Sequence, residues 1–159
     1  MISTIVTHYE ITKDTMALLP ARKIDYHTLA IEPHQQRKVD QVTLSLIKDA
    51  CLHGGSTYDG RRLAVISQTG AQNKVPIPIN PNEFIYAFPT SSPSSPDCIW
   101  IFYHHVKTIQ PHLKNPDYSL IVFKNYEKLE VPISLQVLQR QMQRTSYCIV
   151  RFSKGWEKE

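Results

Sequence analysis

Long apolar runs are what this sequence most plainly lacks. The longest, residues 98–103 and 120–123, are far shorter than the roughly 18 residues that a membrane-spanning helix requires. The N-terminus also lacks the basic stretch, apolar segment and small-residue cleavage site of a secretory leader. Both absences set the expectation of a cytoplasmic protein with no membrane partner. Cysteine is scarce. The 3 present, Cys51, Cys98 and Cys148, are odd in number, far apart and free of any C-x-x-C pairing. Neither a disulfide framework nor a zinc site is legible in that spacing, and each cysteine flanks apolar residues, as a small core hydrophobe does. Acidic residues, finally, are missing from three long windows, 60–82, 98–116 and 131–156.

What fills those windows is basic. The first holds Arg61, Arg62 and Lys74; the second holds Lys107 and Lys114 among His104, His105 and His112; the third holds Arg140, Arg144, Arg151 and Lys154. A formal net charge of +4 is by itself a weak pointer to an acidic partner, because many unrelated domains carry as much. Gathered on one surface, however, these windows would make a broad positive face. The competing account is chance segregation of charge in a modestly basic chain. The 159 residues, 42% hydrophobic and 20% charged, have the size and composition of one ordinary globular domain, so residues 1–159 are read as a single domain. The one low-complexity segment, Phe88-Pro89-Thr90-Ser91-Ser92-Pro93-Ser94-Ser95-Pro96, reads as an exposed loop, since strand-like sequence lies on both sides.

Alternation predicts strands over residues 4–12 and 15–19, joined by a Lys13-Asp14 turn, with a third over 26–32. Val39, Val42, Leu46, Ile47, Ala50 and Cys51 recur at three- and four-residue intervals and predict an amphipathic helix over 39–51, with Pro33 ahead and Gly54-Gly55 as its stop. Strands are expected over 62–68 and 83–88, while Pro76, Pro78 and Pro81 exclude a central strand between them. Residues 99–103, 106–109 and 119–124 are rich in β-branched and aromatic side chains, and the last turns through Asn125-Tyr126-Glu127 into a strand over 128–131. A second helix is expected from an N-cap at Ser134 to about residue 147, with Leu135, Leu138, Met142 and Thr145 on one face. The expected fold is α+β, a twisted and mainly antiparallel sheet with two amphipathic helices and no helix-turn-helix.

The opposite face of that second helix carries Gln136, Arg140, Gln143, Arg144 and Tyr147 on one stripe. Arg meets phosphate oxygens with charge-assisted, often bidentate hydrogen bonds, and both Arg and Gln reach base edges or the narrow minor groove of A·T tracts. A solvated face of good helix formers has the same composition. Gly55 and Gly60 have the spacing of a phosphate-cradling loop, yet Arg61 and Arg62 stand where a P-loop needs Lys and Ser or Thr. The segment reads instead as a tight loop presenting two arginines to a phosphate backbone, with a helix C-cap leading into a basic edge strand as the plainer alternative. Adjacent His104 and His105 on a strand point to opposite faces and cannot share one metal ion without a bend. No Ser, Cys or carboxylate occurs in a pattern implying a catalytic base and its orienting partner, so neither enzyme activity nor a cofactor is expected.

Taken in order, Tyr9-Glu10-Ile11 with Leu19-Pro20, the run Gly55-Ser56-Thr57-Tyr58-Asp59-Gly60-Arg61, and Pro76-Ile77 followed by Pro81 resemble the competence transcription factor (ComK) family of Gram-positive bacteria. The likeness continues through Phe88-Pro89-Thr90, Cys98-Ile99-Trp100-Ile101, His105-Val106-Lys107, Leu129-Glu130-Val131-Pro132-Ile133-Ser134, and Gln141 with Arg144-Thr145. It spans nearly the whole chain, with little motif agreement between Arg22 and Asp49. The resemblance implies a transcription activator that binds A·T-rich boxes on double-stranded DNA, largely through the minor groove. It further implies action as a homo-oligomer on promoters of DNA-uptake genes, activation of its own promoter, and a nucleoid-associated location. Longer members continue well past the position matching Phe152, with a tail tied to adaptor-mediated proteolysis, whereas this sequence stops at Gly155-Trp156-Glu157-Lys158-Glu159. Control by an adaptor and protease is thus an expectation of the family alone.

The residues expected to meet DNA are Arg61, Arg62, Lys74, Lys107, Arg140 and Arg144. Arg61, Lys107 and Arg144 lie within the family-like runs, and the other three rest on charge placement. The rival expectations are a regulatory protein-interaction module working through the Pro-Ser loop, and a small hydrolase or transferase marked by a deep pocket with converging titratable groups.

Overall fold

The structure, a computed structural model, describes residues 4–153. Lys154 and the C-terminal end from Gly155 to Glu159, both invoked above, lie outside the described residues. The chain runs through β1 (Ile5–Val6), β2 (Ala17–Pro20), β3 (Thr28–Ile31), β4 (Gln36–Val39), α1 (Thr43–His53), α2 (Tyr58–Thr69), β5 (Ile77–Asn80) and β6 (Ile85–Pro89). It continues through β7 (Trp100–Phe102), β8 (Val106–Pro111), β9 (Ser119–Phe123), β10 (Lys128–Val131) and α3 (Leu135–Phe152). One sheet has the order β1-β4-β3-β2-β7-β6-β5 and the other β10-β9-β8. All pairings are antiparallel except β1 with β4, so the α+β, mainly antiparallel architecture is the one the alternating pattern implied.

Side chains alternate across a strand, and in the large sheet that alternation divides the interior in two. Leu18, Ala30, Trp100 and Phe102 join one core with Leu46, Ile47 and Cys51 of α1, Val65 of α2 and Cys148 of α3. Ala17, Ile31 and Ile101 join the other with Ile121 and Phe123 of β9, Val131 of β10 and Leu138 of α3. The helices therefore cover one face of the large sheet and the small sheet covers the other. α3 straddles both cores. Trp100, Phe88 and Phe123 are among the largest fully buried side chains, and burial of such a group contributes roughly 1.5–3 kcal/mol each.

Several expectations need correction. The segments 4–12 and 15–19 do not pair across a Lys13-Asp14 turn: β1 is only Ile5–Val6 and pairs in parallel with β4, while β2 pairs with β3 and β7. Phe88 and Pro89 belong to the buried β6 and Thr90 is buried, so the exposed part of the Pro-Ser loop begins after them. Residues 62–68 are not a strand but the body of α2, which makes three helices where two were expected. Thr57 Oγ1 accepts the Gly60 N–H, Asp59 sits in the first turn, and Gly70 ends the helix at φ 80. Tyr58 and Val65, seven residues apart, face inward. The first helix starts at Thr43, not at Val39, because residues 36–39 pair with β3 in the register Thr28 to Val39 and Ile31 to Gln36. Pro33 thus marks a strand turn, closed by the Glu32 N–H on the Gln35 carbonyl. His104 and His105 lie in a 3₁₀ turn, Tyr103–His105, and not on a strand. The proline-rich stretch behaves as expected, since β5 pairs with β6 alone and forms an edge. No helix among the described residues is long and apolar enough to cross a membrane.

Candidate nucleic-acid interface

α3 is an 18-residue helix with Ser134 as its N-cap, the Ser134 Oγ accepting from the Val137 N–H at 3.3 Å. Leu138, Gln141, Thr145 and Cys148 recur at three- and four-residue intervals and are buried. The opposite stripe is turned to solvent: Gln136, Arg140, Gln143 and Tyr147 are exposed, and Arg144 is half-buried at its margin. Residues 131–153 contain no carboxylate, so the stripe has no internal neutraliser of its own.

Gln141 fixes this helix to the rest of the molecule. Its Nε2 donates to the Lys74 carbonyl at 2.9 Å and to the Pro89 carbonyl at 2.8 Å, and its Oε1 accepts from Arg144 Nη1 at 2.8 Å. Arg144 Nη2 in turn donates to the Asn73 carbonyl at 2.7 Å. Two neighbouring carbonyls before β5 are thereby satisfied by side chains of α3, and Lys74 is held with a positive φ of 51. Burial, followed by the nearby charge of Arg140, lowers the Arg144 pKa from its ordinary value. Lys74, Arg140 and Arg144 are thus brought into one neighbourhood. A groove of about 370 Å³ runs beside it, with Thr69, Gly70, Gln143, Arg144 and Tyr147 among its walls.

The other three cations are placed differently. Arg61 and Arg62 stand within α2, at its fourth and fifth positions, and not in a loop, as the helix begins at Tyr58. Arg61 Nη2 donates to the Gly54 carbonyl at 2.7 Å, and its Nε is shielded without a hydrogen-bond partner among the described residues. Arg61 therefore closes the α1–α2 turn. At Gly54 an added Cβ would lie 2.4 Å from the Ile79 carbonyl oxygen, so β5 and this turn approach too closely for any side chain. Arg62 is half-buried near Tyr58. Lys107 is exposed on β8 at a register shift between Val106 and Thr108, with its Nζ 5.5 Å from the centre of the Tyr126 ring. None of the six cations pairs with a carboxylate of the described residues, whose ion pairs are Arg22 with Asp97, His27 with Asp40 and His112 with Glu130.

Comparison with known families adds the deciding observation: the model of the ComK protein family matches residues 6–157. The chain belongs to the ComK family. It is also 32% identical over 146 residues to the competence transcription factor of Bacillus subtilis (strain 168), an alignment covering 91% of this chain and 74% of that protein. No solved structure matches the chain. ComK-family membership places the chain in a class of transcription regulators, which are not enzymes.

Burial pushes the Cys51 and Cys148 thiols up to about 11, so both are protonated at neutral pH and are poor nucleophiles. Among the described residues no group of three or more His, Cys, Asp or Glu is arranged to hold a metal ion. Two features of the positive surface escaped sequence reasoning. One is the Gln141 clamp, which was legible only as part of a family-like run. The other is the basic and aromatic tip formed by Lys107, Lys124, Tyr126 and Lys128, whose signal lay in a hairpin turn flanked by lysines.

Proposed function

We propose that this ComK-family regulator works as a single sequence-specific DNA-binding domain that activates competence genes. It binds A·T-rich promoter boxes through the backbone and minor groove, as a homo-oligomer at the nucleoid, with its turnover under adaptor and protease control. The observation that carries this reading is the exposed, carboxylate-free stripe of α3, flanked by Lys74 and Arg144. A·T tracts have a narrow minor groove of enhanced negative potential, which rewards inserted cations without base-specific hydrogen bonds. Backbone charge and DNA shape then supply most of the affinity, and no recognition helix in the major groove is needed. In this scheme Arg140 makes the outermost phosphate contact, beside Lys74 and Arg144; Arg62 and Lys107 add positive charge on other elements, and Arg61, committed to the Gly54 carbonyl, acts by holding the α1–α2 turn.

Titration of the protein against an A·T-box duplex and a G·C-matched control, at two salt concentrations, tests this. The expected result is tighter binding to the A·T duplex, with affinity falling steeply as salt rises. Equal and weak binding to both duplexes would favour a protein-interaction module using the Pro-Ser loop.

A further inference from the structure

The β9–β10 hairpin ends in a turn that is built rigidly around an exposed aromatic ring. Tyr126 is 70% exposed and has a positive φ of 71, a backbone region that bulky residues rarely occupy. The turn is braced on every side. The Tyr126 N–H donates to the Phe123 carbonyl at 2.8 Å, and the Phe123 N–H donates to the Glu127 carbonyl at 2.9 Å. Asn125 Oδ1 accepts from the Glu127 N–H at 3.1 Å, while Asn125 Nδ2 donates to the Pro33 carbonyl at 3.3 Å. The Lys124 N–H donates to the His105 carbonyl at 2.9 Å. Lys107 occupies the extra position of the bulge in β8, and a bulge re-aims its side chain; here the ammonium is brought over the Tyr126 ring. Lys124 and Lys128 are exposed on either side. Glu127 is the one carboxylate of the turn, against three lysines.

We propose that this tip is a second DNA contact, in which Tyr126 lays its ring against the sugars and base edges of a groove while Lys107, Lys124 and Lys128 meet the flanking phosphates. The inference rests on the DNA-binding reading above and extends it to a separate element. An exposed ring on a pre-ordered turn loses little freedom on binding, and contact with sugars and backbone carries no sequence information directly. The tip thus adds affinity and leaves sequence preference to α3.

The test uses the whole chain with a fluorescent A·T-rich duplex. Tyr126→Asn removes the ring and keeps a residue that tolerates positive φ; Tyr126→Phe keeps the ring. The expected result is binding about tenfold weaker for Tyr126→Asn, as loss of a partly buried ring implies, and near wild type for Tyr126→Phe, with thermal melts of both unchanged. In the double variant Lys124→Gln, Lys128→Gln, the slope of log affinity against log salt should fall by about 2, near 0.9 per phosphate contact. Wild-type affinity in Tyr126→Asn with an unchanged slope in the double variant overturns the proposal. If Arg140→Gln weakens binding and the tip variants do not, only this inference fails. If the wild type binds no duplex, the DNA reading falls and takes this one with it. Tip variants that keep DNA binding but lose binding to a polyglutamate peptide overturn it in favour of an acidic protein partner.

Discussion

Arg140 and Arg144 stand one turn apart on α3, yet the first is exposed and the second commits two nitrogens to Gln141 and the Asn73 carbonyl. The same division recurs elsewhere. Arg61 closes the α1–α2 turn on the Gly54 carbonyl, whereas Lys107 projects from an edge strand. Cations that look alike in sequence therefore fall into two sets: one satisfies backbone carbonyls and holds the α1–α2 turn and α3 with the segment before β5, and the other, without a carboxylate partner among the described residues, is the set that the proposed DNA binding would use. The first set should be read mainly in stability and the second mainly in affinity.

Breaking the internal set should produce the largest effects. Gln141→Leu strands two carbonyls and removes the Arg144 acceptor, and each buried group left unpaired costs about 1–3 kcal/mol. A loss of roughly 3–5 kcal/mol in urea denaturation is expected, with DNA binding lost only as the protein unfolds. Arg144→Met should cost about 1–3 kcal/mol and also weaken duplex binding, because it stands at the margin of the exposed stripe. Gly54→Ala should cost about 1–3 kcal/mol by overpacking against the Ile79 carbonyl, with the salt slope of binding intact. Arg140→Gln is the converse. Its stability should stay within about 0.5 kcal/mol of wild type, while affinity falls on A·T and G·C duplexes alike and the salt slope drops by about 1.

The α3 stripe was legible because a 3.6-residue period, a Ser cap and an acid-free window all agreed. The β9–β10 hairpin was legible for a similar reason, its turn lying between the apolar run Leu120-Ile121-Val122-Phe123 and the alternating Lys128-Leu129-Glu130-Val131. α2 was misread because Ala64-Val65-Ile66 has a strand-like composition and Gly60 sits inside the helix. The capping Thr57 and the terminal Gly70 were the counter-signals. β4 was missed since Gln36-Arg37-Lys38 carries no apolar alternation, and its place is set by β3 and β1 on either side. The roles of Gln141 and Arg144 could not be read locally, because their carbonyl partners lie 52 to 71 residues away.

The smallest expected effect concerns pH. His104 is half-buried against Phe84, Tyr86 and Tyr103, and burial, then Lys124 and His105, lowers its pKa from the ordinary 6.5. A histidine of lowered pKa binds its proton more readily when unfolded. Its contribution is therefore fully present above about pH 6.5 and declines as pH falls toward the folded-state value. Unfolding free energies measured from pH 7.5 to 5 should fall less steeply in His104→Phe than in the wild type.

The central claim is that the exposed side of α3 lies against DNA, and a crystal structure of the protein with an A·T-rich promoter duplex tests it most directly. The account predicts the Arg140 guanidinium within hydrogen-bonding distance of a phosphate, Gln136 or Gln143 facing the same groove, and Gln141 still bonded to the Lys74 and Pro89 carbonyls. A duplex seated on another surface, with Arg140 in open solvent, would contradict it.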